Sequence, residues 1–456
     1  IIVMPETQPV KETENNDSQE KLEFKKILPV FVIVLIDLLG MTIIIPLMPF
    51  YAASFGANAF VIGALGAAYP IMQFIGAPIL GRLSDRYGRR PILLISQIGT
   101  FAGFILLGFS NSLFLLFLSR IIDGISGANI ATAQAVITDN TTEKNRTQGL
   151  GLIGAAFGLG FILGPVIALV SLAASGNNYR VPAFVAAIFS LASILLTYFW
   201  LEESHPPEKR GLSDSKTSFS FGSMLAALRR PEVGFLLVLM FFQQLAFGGF
   251  EQLLSLFTLN RLGMNASSNS ALFVYIGIIV VLVQGYFVGK WSRKFGDRWL
   301  VLMGLVVLGI GLIMASRTHK IPVPWYSKEA VTIELTGDVI LPGETPPVQD
   351  IQIELPDDDN TGWMGLAWFM VAMIPVAIGG GVLHPSINSS LTKRVDTDDV
   401  GGTLGISSSF VSAANAISPL VMGAVFQWVG AGAPFMIGGV IILILWVFAR
   451  RYLSEG

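Results

Sequence analysis

Long apolar segments alternate with short polar ones along most of the chain. Twelve segments are apolar over about 20 residues, which is the length that crosses the hydrocarbon of a bilayer as a helix. Lipid tolerates only backbone whose hydrogen bonds are satisfied within the segment, so these segments are predicted to be membrane helices. They are residues 27–52, 59–80, 91–109, 112–137, 148–173, 181–201, 233–257, 270–288, 300–315, 363–386, 402–426 and 433–448.

Composition supports the same class of protein. Hydrophobic residues make up 53% of the chain and charged residues 13%, whereas a soluble domain carries roughly a quarter of its residues charged. The chain has no cysteine, which excludes disulfides, thiolate catalysis and cysteine metal sites. It also has no Gly-x-x-x-x-Gly-Lys-Ser/Thr motif, so ATP is not the expected energy source. We expect a transporter rather than an enzyme, with no cofactor, metal, nucleotide or nucleic-acid partner.

The basic residues predict an orientation. With the N-terminus inside, the cytoplasmic segments hold 23 of the 29 Lys and Arg residues, as the positive-inside rule requires. The first 26 residues are polar, so they are read as a disordered cytoplasmic tail and not as a signal peptide. We expect both termini in the cytoplasm and a multi-pass protein of the cell inner (plasma) membrane.

The two halves of the chain repeat one another. Residues 81–84 (GRLS) recur 208 residues later as GKWS, and Gly164-Pro165 is matched 254 residues later by Ser418-Pro419. Six-span halves related in this way are typical of transporters that rock two bundles about a midplane site. The predicted fold is an all-α integral membrane protein with twelve transmembrane helices in two pseudo-symmetric six-helix bundles. Its parts are a cytoplasmic tail (1–26), a first bundle (27–201), a linker with an interfacial helix (202–232), a second bundle (233–450) and a cytoplasmic tail (451–456).

The growth of the repeat offset from 208 to 254 residues indicates an insertion in the second half. Residues 317–360 fit it, because they contain no apolar span and are rich in proline and acid. Apolar and polar residues alternate over 331–335 and 351–355. We therefore predict an extracytoplasmic loop with one or two short strands, the alternative being an irregular acidic loop.

Four motifs resemble those of the major facilitator superfamily, in its drug:proton antiporter branch. They are the loop at 81–91 (GRLSDRYGRRP), the first-span motif at 37–49, the fourth-span arginine motif at 120–128 and the glycine-rich fifth span at 154–165. The stretch 69–91 is especially similar to the bacterial tetracycline/proton antiporters. The resemblance implies a monomeric, proton-coupled multidrug efflux transporter for a small molecule. The chain departs from tetracycline exporters in having no acid within residues 91–109.

Ionisable residues inside the predicted spans are the candidates for proton coupling. Asp37 lies about ten residues into the first span, where a lone carboxylate is costly and favours taking up a proton. The alternative for it is a hydrogen bond between helices. Arg120 needs a counter-charge, which Asp37 or Asp123 could supply, and the resemblance implies that Arg120 tunes the proton-carrying acid. The predicted proton-coupling residues are Asp37, Arg120, Asp123 and Glu251.

Polar residues of the spans that line the cavity in this superfamily are the candidates for substrate binding. Each of their side chains could contact substrate or bond one helix to another. For His384, structural, solvent-exposed and proton-relay roles all stay open. The candidates are Gln73, Asn129, Gln134, Gln243, Gln244, His384 and Asn388.

The 81–91 loop resembles the family's gate, which latches the two halves on the cytoplasmic side. Asp85 can lie against a helix N-terminus, and the arginines can pair with acids or lipid headgroups. Arg293 replaces the acid in the second half, so a matching latch there is expected to be weak or absent. The predicted gating residues are Gly81, Asp85, Arg86, Arg89, Arg90, Asp139, Arg146, Gly164 and Pro165.

The sequence supports export of a small amphipathic drug-like compound in exchange for protons. Two other functions remain open: a sugar or metabolite permease with the same fold, and a non-transporting membrane subunit or sensor whose acidic outer loop docks a partner.

Overall fold

The structure is a computed structural model that describes residues 24–141, 143–206, 208, 221–336, 352–395 and 400–453. Within these ranges the chain is almost entirely helical. The helices are α1 (Phe24–Ile44), α2 (Met48–Ala53), α3 (Ala59–Tyr87), α4 (Arg89–Gly108), α5 (Leu113–Ser126), α6 (Asn129–Asp139), α7 (Glu143–Ala174), α8 (Arg180–Trp200), α9 (Phe221–Leu228), α10 (Pro231–Leu262), α11 (Ala266–Leu282), α12 (Val288–Phe295), α13 (Asp297–Ser316), α14 (Lys328–Thr336), α15 (Trp363–Thr392), α16 (Val400–Trp428) and α17 (Ala433–Tyr452). A π-helical turn over Val283–Phe287 joins α11 to α12.

Eleven continuous helical segments in the described residues are long and apolar enough to cross a membrane. The predicted fourth span, 112–137, is divided between α5 and α6. The division falls at Gly127 and Ala128, where the Gly127 backbone packs against the ring of Tyr69, with a Cβ there falling 2.4 Å from the Tyr69 hydroxyl. Counting this broken helix as one crossing, the described residues are consistent with the predicted twelve-span architecture.

The spans form two bundles with matching internal packing. In the first bundle α1 packs on α7 and α8, and α4 packs on α5 and α8. In the second bundle α13 packs on α15 and α17, and α10 packs on α16 and α17. The bundles meet where α3 lies against α16 and where α7 lies against α11.

The closest described contacts between α3 and α16 lie toward one end of the molecule. We call the end of the molecule that holds residues 84–91 the loop face, and the opposite end, which holds α14, the insertion face. Toward the insertion face α3 and α16 approach so closely that a Cβ on Gly63 would lie 2.3 Å from the Pro419 carbonyl oxygen. The Gln427 side chain also accepts a hydrogen bond from the Ala59 amide, at 3.0 Å. The insertion face is therefore closed between the bundles.

Toward the loop face the described residues include no comparably close approach of these helices. Glycines on α3, α7, α12 and α16 have no described atom within 4 Å of the position a Cβ would take. The described part of α12 also has no buried residue. These glycines are Gly81, Gly154, Gly158, Gly289 and Gly405. The described residues therefore leave open space beside these glycines at the loop face.

The prediction of strands in the insertion is wrong for those of its residues that the structure describes. Residues 331–335 lie in α14, and residues 352–355 form no strand, while residue 351 lies outside the described residues. The alternation that predicted a strand also places Val331 and Leu335 one helical turn apart, and both side chains are buried. Ser327 caps the N-terminus of the helix, because its hydroxyl accepts a hydrogen bond from the Ala330 amide.

Candidate functional site

Asp37 projects from the middle of α1 into a small polar cluster. Its Oδ2 atom accepts a hydrogen bond from Asn129 Nδ2 at 2.7 Å and a longer one from Gln97 Nε2 at 3.4 Å. Gln97 is held by Ser193, with 2.8 Å between Nε2 and Oγ. The other carboxylate oxygen, Oδ1, is buried without a hydrogen-bond partner among the described residues. The carboxylate is thus half satisfied, and its free oxygen is a position that a proton can occupy.

The break in the fourth span positions the strongest of these partners. Asn129 is the first residue of α6, directly after the irregular turn at Gly127 and Ala128. Gln73 Nε2 donates to the Gly127 carbonyl at 3.0 Å, which satisfies a carbonyl near the break, and makes a longer contact with the Tyr69 hydroxyl at 3.3 Å. Unpaired backbone is costly inside a membrane, so Gln73 helps make the break tolerable.

Arg120 pairs with Asp123 and not with Asp37. Its Nη1 lies 3.0 Å from Asp123 Oδ2, and the two side chains are 6% and 2% exposed. The guanidinium also lies over the Phe104 ring, 5.6 Å from the ring centroid. Its Nε and Nη2 atoms have no hydrogen-bond partner in the described structure. Arg120 therefore retains donors that a second acceptor could use.

A cavity of about 20 Å³ connects the two acids. Asp37 and Asp123 both line it, together with Tyr69, Thr100 and Asn129. A space of this size is sufficient for one water molecule with polar partners. The geometry can therefore hold a proton on either of two buried carboxylates with a single water between them.

Close helix packing holds α1 in place beside this cluster. A Cβ on Gly164 of α7 would lie 2.2 Å from Thr42 Oγ1, so only glycine permits this approach. Thr42 in turn donates to the Leu38 carbonyl, one turn away and adjacent to Asp37. Pro165 follows within α7. The structure thus places Gly164 against the helix that carries Asp37.

The remaining substrate candidates lie outside the Asp37 cluster. Gln244 on α10 bonds to Asn415 on α16, at 2.8 Å, and so joins two helices of the second bundle. Asn388 accepts a hydrogen bond from Ser407 and lies 3.5 Å from His384, whose side chain is exposed. The Gln243 side chain is buried, with Oε1 lacking a described partner.

Two of the predicted residues have no side-chain partner in the described structure. Glu251 on α10 and Gln134 on α6 are each partly buried and make no described side-chain hydrogen bond or ion pair. Neither residue lines the small cavity beside Asp37.

The described contacts of Arg89 and Arg90 are to the first bundle and to Glu203 of the linker, whose carboxylate accepts from both backbone amides. Arg89 lies 2.5 Å from Asp85 and 3.2 Å from Asp139, and it donates to Ser84 Oγ at 2.7 Å. Arg90 donates to the Thr197 carbonyl at 3.3 Å, and Arg86 lies over the Tyr87 ring. The side chain of Arg146 lies outside the described residues. The described contacts of Asp85 are local and do not cross to the second bundle.

The second bundle carries a charge-reversed copy of this loop pair. Asp297 follows Arg89 by the repeat offset of 208 residues, and Lys393 follows Asp139 by the offset of 254. Lys393 Nζ lies 2.5 Å from Asp297 Oδ2, so an acid and a base face each other in both bundles with their places exchanged. The expectation of a weak or absent counterpart rested on Arg293 alone and missed this pair.

Several residues of the site were missed by sequence reasoning. Gln97 and Ser193 lie in the third and sixth predicted spans, which are not among the cavity-lining spans that supplied most candidates, and Tyr69 lies in the second. A polar side chain such as Gln97 in the middle of an apolar span is the signal that could have identified it.

Comparisons with known proteins agree with this architecture. The family model described as Major Facilitator Superfamily matches residues 30–333. The class B tetracycline resistance protein of Escherichia coli is 28% identical over 406 residues, covering 87% of each chain. The class E tetracycline resistance protein of Escherichia coli is 32% identical over 324 residues, covering 70% of this chain and 78% of the relative.

Solved structures share the fold. The human organic anion transporter MFSD10 aligns with a TM-score of 0.60 at 22% identity, covering 94% of this chain and 100% of that one. The nucleoside transporter NupG aligns with a TM-score of 0.68 at 12% identity, covering 93% and 99%. The two bundles, the broken fourth span and the family match together place this chain in the major facilitator superfamily, as a multi-pass membrane transporter.

Proposed function

We propose that this transporter exports a small amphipathic organic compound in exchange for protons. The observation that carries the proposal is the Asp37 carboxylate, whose Oδ1 is buried and unpaired while Oδ2 is held by Asn129. A buried carboxylate with one free oxygen is stable when it binds a proton and unstable when it does not. The relatives named tetracycline resistance proteins support a drug-like substrate.

The proposal includes an orientation. The loop face is cytoplasmic, since most Lys and Arg residues belong to segments on that side. The conformation described above is then the inward-open state, in which a compound reaches the site from the cytoplasm. The closed insertion face is the side from which the compound leaves after the bundles rock.

The proton and the compound alternate in this cycle. In the outward-open state a proton neutralises Asp37 and the compound leaves. In the inward-open state the compound binds and the proton is released. Arg120 and Asp123 adjust the charge beside Asp37, and Glu251 supplies a second carboxylate on α10. Coupling requires that each ligand bind one conformation better than the other.

The test uses vesicles that contain the purified protein and an acidified interior. A panel of amphipathic compounds is added outside while the internal pH is recorded. The proposal predicts that at least one compound causes proton efflux that protein-free vesicles do not show. Absence of any compound-dependent proton movement, with the protein shown to be folded, would contradict proton exchange.

A sensor or docking subunit is the second function that the sequence left open. Compound-driven proton flux by the purified protein alone separates the two, because a non-transporting subunit or sensor would show none with any compound.

A further inference from the structure

Glu334 on the inserted helix α14 is bonded to both bundles at once. Its carboxylate accepts from Asn177 Nδ2 at 3.0 Å and from the Tyr179 hydroxyl at 2.9 Å, both in the connection between α7 and α8 of the first bundle. It also accepts from Asn265 Nδ2 at 3.2 Å, on the residue that caps α11 of the second bundle. One side chain thus joins the bundles at the insertion face.

The helix that carries Glu334 is itself fixed to the second bundle. The segment leading into α14 is held by a hydrogen bond from the Val323 amide to the Leu262 carbonyl at the end of α10. The returning segment is held by Asn260 of α10, which donates to the Glu354 carbonyl at 2.8 Å. Tyr326 ties the two segments together by donating to the Pro356 carbonyl at 2.7 Å. The segments that flank α14 are therefore tied to the second bundle, while α14 itself also packs on α2 of the first bundle.

The first-bundle partners are also held in place for this contact. Asn177 has a left-handed backbone, with φ of 62°, a conformation that asparagine tolerates better than most residues. Ser267, at the start of α11, donates to Asn177 Oδ1 and so orients its amide toward Glu334. Tyr179 is largely buried, and its ring packs against Phe50 and Tyr51. The donors therefore point at a fixed place that only a group from the other bundle fills.

We propose that α14 is a clamp that holds the insertion face closed. The hydrogen bonds from the first bundle to the Glu334 side chain must break before that face can open. The proposal rests on the proposed function only in that the two bundles alternate between conformations. When the bundles separate at this face, α14 moves with the second bundle, and the bonds from Asn177 and Tyr179 to Glu334 break. The insertion thus biases the resting transporter toward the conformation open at the loop face.

The test measures the distance across the insertion face directly. The chain has no cysteine, so spin labels attach only where a cysteine is introduced. Asn111→Cys in the α4–α5 connection and Val429→Cys after α16 are exposed positions on the two bundles, away from the clamp. Pulsed electron–electron double resonance on the full-length protein in lipid nanodiscs then measures the distance between the two labels. The distance distribution gives the closed and open populations in the absence of substrate and of a proton gradient.

Glu334→Ala is expected to lower the closed-to-open ratio by about tenfold, because the hydrogen bonds from Asn177, Tyr179 and Asn265 are lost while alanine keeps the helix. The matched control is Glu329→Ala, an exposed glutamate on the same helix, which is expected to leave the ratio unchanged. Asn177→Gly tests the partner side, since glycine accepts the left-handed backbone and removes the amide together with its bonds to Glu334 and Ser267. It should shift the ratio in the same direction.

An identical distance distribution for Glu334→Ala and Glu329→Ala would overturn the proposal. If Glu334→Ala does not fold, Asn177→Gly and Tyr179→Phe decide, and wild-type distributions for both would overturn it equally. Failure of the proposed proton exchange appears only in the vesicle assay, so the two failures are distinguishable.

Discussion

Asn129 donates a hydrogen bond to Asp37, with 2.7 Å between Nδ2 and Oδ2. This bond joins α1 to the first residue after the break in the fourth span. Because an amide donor stabilises the ionised carboxylate, any movement of α6 relative to α1 changes how readily Asp37 holds a proton. The bond therefore provides a direct physical link between helix movement and proton binding.

Asn129→Ala is expected to reduce compound-driven proton flux by about tenfold, because a hydrogen bond to a charged group is lost. Compound binding, measured by fluorescence or calorimetry, should change less than the flux. Asn140→Ala is the control, since the Asn140 side chain bonds only to the Val136 carbonyl of its own helix among the described contacts. Equal flux in Asn129→Ala and Asn140→Ala would contradict the role given to this bond.

The Arg120–Asp123 pair predicts strongly non-additive stability effects. Removing either partner leaves an unpaired buried charge, so Arg120→Ala or Asp123→Ala should each destabilise the protein by about 3–5 kcal/mol. The double variant Arg120→Met with Asp123→Leu should recover much of that stability, while transport remains lost. Apparent Tm in detergent and vesicle flux measure the two properties separately.

The control for that series is Lys328→Ala, which removes an exposed pair with Asp357 at the insertion face. It should leave the apparent Tm unchanged, because solvent screens such pairs. Additive losses in the Arg120 and Asp123 double variant would show that the two residues do not act as a pair.

The Asp297–Lys393 pair predicts an asymmetric response. Asp297 is largely buried and also accepts hydrogen bonds from Ser292 and Ser389, whereas the Lys393 side chain is 68% exposed. Asp297→Ala should therefore lower the apparent Tm more than Lys393→Ala, with a difference of about 1–3 kcal/mol in the free energy of unfolding. The double variant Asp297→Arg with Lys393→Asp restores the charge order of the first bundle and should regain part of the loss. A double variant no better than Asp297→Ala would argue against equivalence of the two loops.

Glu334 predicts a pH dependence of the clamp. Burial raises the pKa of its carboxyl above the usual 4.5, with the hydrogen bonds from Tyr179 and Asn265 opposing the rise. The pKa is thus higher in the closed clamp than in solvent, so closure is favoured most below 4.5 and is weakened as pH rises through the raised value. Burial raises the pKa of Tyr179 well above its usual 10.0, so this partner stays neutral over that range.

The spin-label distances should therefore show a larger closed population at about pH 5 than at about pH 8. Glu334→Ala should remove that part of the pH response, and any remainder belongs to other groups. If the closed population of Glu334→Ala changes with pH as much as that of the wild type, this carboxyl is not the source of the pH response.

Sequence reasoning predicted the spans and the two-bundle fold because lipid restricts backbone to helices whose apolar lengths are visible in the chain. It could not predict the break at Gly127, which depends on contact with Tyr69 in another helix. It wrongly predicted strands in residues 331–335, because a five-residue alternation fits a strand and one turn of helix alike. Burial of Val331 and Leu335 decides between them, and burial is a tertiary property.

Within the site, sequence placed Asp37, Arg120 and Asp123 in spans but left the partner of Arg120 open. The spacing of Arg120 and Asp123 permits a pair on one helix, yet only the packed structure shows that Asp37 is bonded to Asn129 instead. The neutral partners Gln97 and Ser193 became visible only with their contacts. The Asp297–Lys393 pair needed both repeat offsets and a measured distance.

The most direct test of the account is proton movement by Asp37→Asn in vesicles, driven by a compound that moves protons in the wild type. Asparagine keeps the size of the side chain and an acceptor for Asn129 but cannot carry a proton. Compound-driven proton flux should disappear in Asp37→Asn and persist in Glu329→Gln, a matched acid-to-amide change at an exposed position. Wild-type proton flux in Asp37→Asn would contradict the assignment of Asp37 as the proton carrier.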